Sequence, residues 1–295
     1  LDGSNASENV YYAGNKVGMM HGWDRESMTS DAGGGPYIGG IVKADGTALT
    51  LASEPKWDRD WSGAGVFFLD GKGAGQVRRL AKHSGAEITL DRPLDVAPDA
   101  TTVITITQYQ GHYLLLGNEF ADCGAVQFYG TAIENVVAGN RGQRMSGFSA
   151  WALWYHGFQP AFYNLFEGNR LSEAYYHWTD ANPSAIGVAG HRHEGYRGPM
   201  NRGCIVRDNT LSHNAMVRVS GAVTDCVVER NAISDSDEGV FVANEATGVL
   251  CQANRFERVL RPTMDEPAER ALRAERLKRF IGAKDPLLKL DFTAL

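Results

Sequence analysis

Cysteine is scarce in this chain. Four occur in 295 residues, with no Cys-x-x-Cys pair, so neither a disulfide framework nor a thiolate metal site is expected. No apolar run approaches the length that spans a bilayer, and no signal peptide is visible at the start. A basic excess is missing too. Lys and Arg total 29 against 35 Asp and Glu, a formal charge of −6, which argues against a nucleic-acid-binding surface. The same balance counts mildly against a strongly anionic polymer, unless a local basic groove overrides the total.

What is present is a repeat. Asn118, Asn140, Asn169, Asn209, Asn231 and Asn254 sit in the phrases LLLGNEF, VVAGNRG, LFEGNRL, IVRDNTL, VVERNAI and CQANRF. Their spacings are 22, 29, 40, 22 and 23 residues. A period in the low twenties with occasional insertions signals a solenoid. Val, Ile, Leu, Phe and Cys dominate the runs, and no stretch between them has helical periodicity, so the coils are β. An earlier coil is expected at Asn15, in NVYYAGNKV. Asparagine suits the sharp corner of such a coil because it tolerates left-handed backbone. Its amide can also bond to the asparagines above and below, so the six are read as structural.

These phrases resemble the right-handed parallel β-helix superfamily, the pectate-lyase-like fold of many extracellular polysaccharide-degrading enzymes. The resemblance covers roughly residues 113–260 and implies a carbohydrate substrate and a secreted or periplasmic location. No complete lyase or galacturonase motif accompanies it.

The expected fold is therefore all-β: a right-handed parallel β-helix with an antiparallel β insertion and a C-terminal capping helix. Residues 1–34 read as a coil, 35–111 as the insertion, 112–262 as the main coils and 263–295 as helix and tail. In the insertion, alternating runs such as YIGGIV, GVFFLD and TVITIT are separated by Gly- and Pro-rich turns. Its Gly-rich stretch at 71–79 lacks the Lys-Ser/Thr of a phosphate loop. The tail has Pro267 near a helix start, an apolar stripe at Ala271, Ala274, Leu277 and Ile281, and Gly282 as a stop. The chain opens at Leu1 in a coil-like phrase with no amphipathic cap, so earlier coils or a signal sequence are expected to precede it. That N-terminal part would be a partner of these coils. Cys123, Cys204, Cys226 and Cys251 read as buried small hydrophobes, with Cys204 and Cys226 stacked in adjacent coils.

Strand alternation counted from each asparagine points position +8 inward, at Val126, His177 and Val217. The +9 column is then Gln127, Ser149, Trp178 and Arg218, and the +11 column is Tyr129, Trp151, Asp180 and Ser220. Aromatic faces stack on sugar rings, while Asp and Arg bond hydroxyls or carboxylates. Tyr129, Trp151, Trp178 and Gln127 are therefore expected to bind substrate, with Tyr196 from the long interval between Asn169 and Asn209. His177 at an inward position signals a register slip in that coil, and burial under insertions is the alternative for the aromatics. The same interval holds His191, His193 and Glu194, without zinc spacing. No metal or other cofactor is assigned. Asp235, Asp237 and Glu238 form either a solvated turn or a set of oxygens suited to calcium. The +4 column, Asp122, Arg144, Glu173, His213, Asp235 and Arg258, reads as charges pairing along a corner.

Three functions follow. A glycoside hydrolase would use Asp180 and Glu194 as its paired carboxylates. A polysaccharide lyase acting on a uronic-acid polymer would use Arg218 with His193 or Tyr196. A non-catalytic carbohydrate-binding or structural module needs neither. In each case the partner is a polysaccharide or oligosaccharide, not nucleic acid or a membrane.

Overall fold

The computed structural model describes residues 7–20, 26–154, 157–173, 185–193 and 195–282. The run before each asparagine forms a three-residue strand. Tyr11–Ala13, Leu114–Leu116, Val136–Ala138, Leu165–Glu167, Ile205–Arg207, Val227–Glu229 and Leu250–Gln252 pair side by side in one parallel sheet. The strands after the asparagines pair in a second parallel ladder, from Lys16–Met20 onward. A third ladder joins Glu26–Asp31, Ala125–Tyr129, Gly147–Trp154, Ala185–Gly190 and Met216–Gly221. The strand Ala232–Val242 spans the last two ladders and unites them. Each residue thus recurs above its counterpart in the next coil, with Leu115, Val137, Phe166, Val206 and Val228 buried on the axis.

The asparagine ladder has seven members, because Asn15 joins it. Asn15 Nδ2 donates to Asn118 Oδ1 at 3.0 Å, Asn118 to Asn140 at 2.9 Å, Asn140 to Asn169 at 3.0 Å and Asn169 to Asn209 at 3.0 Å. Asn209 donates to Asn231 and Asn231 to Asn254, both at 2.9 Å. Each Oδ1 from Asn118 to Asn254 also accepts the backbone N–H of the preceding asparagine. The second amide hydrogen goes to a backbone carbonyl, as from Asn140 to Leu115 O at 2.9 Å. Asparagine is therefore the residue that satisfies a buried corner, since it donates twice and accepts twice.

The left-handed backbone expected at these asparagines lies one residue earlier. Gly14, Gly117, Gly139, Gly168, Asp208, Arg230 and Ala253 all have positive φ. The reason is geometric: the residue before the asparagine makes the bend, which leaves the asparagine to face inward. The +4 column is a second left-handed corner, with φ between 49° and 55° from Asp122 through Arg258. A third lies six residues before each asparagine, at His112, Glu134, Tyr163 and Asp225 among others. Just after it runs a short second ladder that the sequence did not announce. Asn135 Nδ2 donates to Asn164 Oδ1 at 2.8 Å, and Asn164 Nδ2 points at Cys204 Sγ, 3.8 Å away. Cys204 and Cys226 continue that column as buried free thiols, and Cys123 is buried as well. Cys251 is exposed, contrary to expectation, because its strand is the last of its sheet.

Charges alternate along the +4 corner. Arg144 holds Asp122 at 2.6 and 2.8 Å and Glu173 at 2.7 Å, and Arg258 holds Asp235 at 2.5 and 2.9 Å. Hydrogen bonds from Arg144 and Gln143 hold the Glu173 carboxyl below its usual value, and those from Arg258 do the same for Asp235. Arg230 depresses Asp208 similarly at the neighbouring corner. The acidic stretch after Asn231 does not converge into a shell of oxygens. Asp235 is taken by Arg258, and Glu238 is buried on the strand. No group of three His, Cys, Asp or Glu among the described residues is arranged to hold a metal.

Between the first coil and the next, six antiparallel strands close into a barrel, from Tyr37–Asp45 to Val103–Thr107. Its core is Leu49, Val66, Phe68, Leu80, Ile88 and Ile104. The Gly-rich stretch is the hairpin between Gly65–Asp70 and Val77–Ser84. Gly75, at φ +94°, lets Tyr163 of the stack donate to its carbonyl at 2.7 Å; a Cβ there would meet that hydroxyl at 2.6 Å. Phe67, Leu69 and Tyr109 pack with Ile133 and Phe162 across the same junction.

The C-terminal helix, Glu266–Gly282, starts where Asp265 accepts the Ala268 amide at 3.0 Å, a side-chain N-cap. It covers a flank of the stack rather than its open end. Leu272 packs with Met216, Phe241, Ala243 and Met264, while Ala271 and Ala274 are exposed. On the last coil Leu250 and Leu260 remain 49% and 67% exposed. The groove beside Phe241 takes Leu272 and Glu269 rather than the Ala271 and Ala274 of the expected stripe. No helix among the described residues is long and apolar enough to cross a membrane.

Two outcomes test this account. Asn140→Ala strands donors and acceptors on both neighbouring coils and should cost about 3 kcal/mol or more, against about 1 kcal/mol for Asn254→Ala at the ladder's end. Equal costs in urea denaturation would refute a self-satisfying ladder. Because the paired carboxylates titrate lower folded than unfolded, their contribution is complete above the unfolded values. It is lost as pH falls through the folded ones. The thermal midpoint should therefore be flat above about pH 5 and fall below about pH 4, less steeply at high salt.

Candidate functional site

The third ladder presents alternate residues outward, and its register decides the site. Val126, Phe148, Ile186 and Val217 are aligned and buried. Ile186 therefore stands where counting from Asn169 put His177. That coil carries its insertion before the strand, so the +9 and +11 positions are Gly187 and Ala189 instead of Trp178 and Asp180. Those two residues and Glu194 lie outside the described residues.

The outward columns are consequently Thr29, Gln127, Ser149, Gly187 and Arg218, and beside them Asp31, Tyr129, Trp151, Ala189 and Ser220. Tyr129 and Trp151 are half-buried neighbours, with ring centroids 6.5 Å apart. His191 meets Trp151 edge-on at 5.1 Å. Gly187 has no side chain and Ala189 is buried, so the large groups of this face are the rings of Tyr129, Trp151 and His191. The Trp151 indole N–H is buried and has no acceptor among the described residues. Gln127 Nε2 is turned toward Glu26 at 2.6 Å, which leaves its carbonyl for other donors.

A second aromatic group adjoins the same strand end. Trp154, 43% exposed, stacks on His193 with centroids 4.1 Å apart and meets Phe158 edge-on at 4.6 Å. Phe158 in turn meets Tyr196 at 5.7 Å. The Gly195 amide donates to His193 Nδ1 at 3.2 Å, which commits that nitrogen as an acceptor and leaves Nε2 for proton transfer. Tyr196 is different. Its hydroxyl donates to Pro199 O at 3.2 Å, and burial, reinforced by the charge of Asp70, raises its pKa well above the ordinary tyrosine value. Such a phenol is a poor base at neutral pH.

Arg218 is engaged by the protein itself. Its Nη2 donates to Glu269 Oε1 of the helix at 3.1 Å, and its guanidinium lies 4.4 Å from the Phe241 ring centre. The structure thus brings Gln127, Tyr129 and Trp151 onto one face, with His193 and Tyr196 in the loop at its end, and directs Arg218 under the helix. Trp154 and Phe158 were missed, and His191 was weighed only as a metal ligand. The density of rings in WALWYHGF was the available signal, but periodicity from the asparagine stops short of it. Asp31 was missed because no repeat phrase indexes its strand.

No family model and no curated protein matches this chain. Among solved structures it is similar to the tailspike protein gp49 from Pseudomonas phage LKA1, at 11% identity and a TM-score of 0.33, covering 84% of this chain and 48% of that one. The Pseudomonas phage phi297 tailspike gp61 gives 12% and 0.28, with 90% and 65% covered. The Gp54 tailspike of Acinetobacter baumannii bacteriophage AP22, solved with A. baumannii capsular saccharide, gives 10% and 0.22, with 85% and 53% covered. The chain spans less than two thirds of the length of each. At such low likeness the site is read from its own geometry.

Arg218→Ala should lower stability by about 1–3 kcal/mol, since it leaves Glu269 buried without its partner. The double change Arg218→Ala with Glu269→Leu should recover most of that loss in thermal denaturation. Failure to recover would mean that Arg218 serves something other than the helix.

Proposed function

We propose that this chain is a carbohydrate-active protein: the parallel stack is a right-handed parallel β-helix, and its outward face holds a polysaccharide or oligosaccharide. The observation that carries the reading is the row of rings Tyr129, Trp151 and His191 beside a strand with small residues at Gly187 and Ala189. A pyranose ring stacks on such a wall, and the Gln127 carbonyl supplies a polar contact at its edge.

Glycoside hydrolysis is the reaction we favour. Asp180 and Glu194 would act as acid and as base or nucleophile, and His193 Nε2 would assist in proton transfer. Lyase chemistry on a uronic-acid polymer is the weaker reading, because Arg218 is bound to Glu269 and Tyr196 is held protonated. A non-catalytic module is the second reading, favoured by the prevalence of stacking groups over paired carboxylates on the described face. Calcium would enter only with the lyase. A secreted or periplasmic location accords with a polymeric glycan as partner.

The test is a polysaccharide panel scored for new reducing ends and for the ultraviolet absorbance of unsaturated products. Reducing ends alone are expected. Asp180→Asn or Glu194→Gln should cut the rate by about a hundredfold or more with binding intact. Trp151→Ala should weaken binding by roughly tenfold. Unsaturated products would replace the hydrolase with the lyase. Binding without either product would establish the module, and no binding to any glycan would end the reading.

A further inference from the structure

The barrel carries a cleft of its own, remote in sequence from the aromatic face. The loop before the strand Gly65–Asp70 reads EPKWDRDWSG over residues 54–63, two tryptophans alternating with charges. Trp61 is buried, and its indole N–H donates to Asp58 Oδ1 at 2.9 Å. Trp57 donates to Gly85 O at 2.8 Å and stacks on His83 with ring centroids 4.0 Å apart. Asp60 accepts the Ser62 amide at 2.9 Å and the Ser62 hydroxyl at 2.7 Å, and these donors hold its carboxyl below the usual range. His83 Nε2 takes the Trp61 amide at 3.1 Å. The loop is thereby pinned at several points, around an open cleft of about 580 Å³ lined by Trp57, Asp58, Arg59, Asp60, Lys82 and His83.

The charges lining it are not equally committed. Both acids spend oxygens on their own loop. Arg59 lies over the Trp61 ring, 4.1 Å from its centre, and makes no ion pair among the described residues. Lys82 is exposed and likewise has no ion-pair partner among them. A ligand entering the cleft therefore meets two cations with no ion-pair partner among the described residues, while the two carboxylates, still charged, are turned to donors of their own loop and, for Asp60, toward His83 at 3.3 Å. We infer that this cleft is a second binding site, in which Arg59 and Lys82 hold the carboxylate of an acidic sugar residue beside the Trp57 ring.

Arginine suits that role because its planar fork matches a carboxylate, and its stacking on Trp61 fixes the fork in place. Lysine adds a mobile point charge from the neighbouring strand. Placed on the barrel, the site would anchor an acidic glycan while the stack handles another part of it. The inference rests on the glycan reading of the stack.

The test titrates the whole chain calorimetrically with a glucuronate-containing oligosaccharide, a neutral oligosaccharide of equal length and inorganic sulfate. The acidic oligosaccharide should bind, and Arg59→Ala with Lys82→Ala should weaken it by about tenfold or more, since two charge-assisted contacts are lost. Trp151→Ala should weaken the neutral ligand, and in that background the double change should still weaken the acidic one by the same factor. Both changed residues are exposed, and an unaltered thermal midpoint verifies folding. An acidic ligand indifferent to the double change overturns the inference, and so does one lost only with Trp151; neither result touches the glycan reading. Sulfate bound as tightly as the sugar acid would overturn the saccharide assignment. Loss of the neutral ligand's binding alone would remove the glycan reading and leave an anion site.

Discussion

The structure depends on one interaction, the hydrogen bond from each asparagine amide to the asparagine of the next coil. From Asn118 to Asn231 each such amide is buried, where an unmet donor or acceptor costs about 1–3 kcal/mol. It is satisfied only if the next coil presents another asparagine at the same height. Register is thus enforced by polar groups as well as by hydrophobic burial. A slip of one residue would strand several partners at once and turn every side chain to the opposite face.

In-register stacking has a consequence outside the core. Because each coil repeats the orientation of the last, outward residues fall into columns, and Tyr129 and Trp151 become neighbours although 22 residues separate them. Insertions are tolerated only where they leave the ladder intact. The barrel leaves the stack after the first coil and returns before the second, and it is held against the corner column by Tyr163 and by the Phe67–Phe162 contact. The long interval after Asn169 is placed before the strand Ala185–Gly190, so that Ile186 regains the inward position.

The three left-handed corners of each coil show how differently one backbone need can be met. Glycine occupies the first corner in four coils, yet Asp208, Arg230 and Ala253 serve in others. At the second corner every residue is polar or charged from Asp122 onward, and neighbours in the column pair. The corner chooses a conformation, and the column then chooses the charge. The C-terminal helix follows a similar logic, since the Arg218–Glu269 pair and Leu272 seat its first turns on the stack.

The repeat of asparagine phrases was enough to establish a stacked, all-β architecture with its turns, the excursion between the first two coils and the inward column at Val126 and Val217. These are local or periodic properties, carried by residue type and spacing. It was enough, too, to place Gln127, Tyr129 and Trp151 on one outward face, because their coils keep the common spacing. Only the tertiary structure decided what lies beside them. An insertion of unknown placement breaks the count, so Gly187 and Ala189 could not be told from Trp178 and Asp180 by spacing. The fate of Arg218 depended on a helix more than forty residues later in the chain, and the meeting of His191 with Trp151 on the path of a loop. Periodicity determines what repeats; contacts between segments that do not repeat are settled only when the chain has packed.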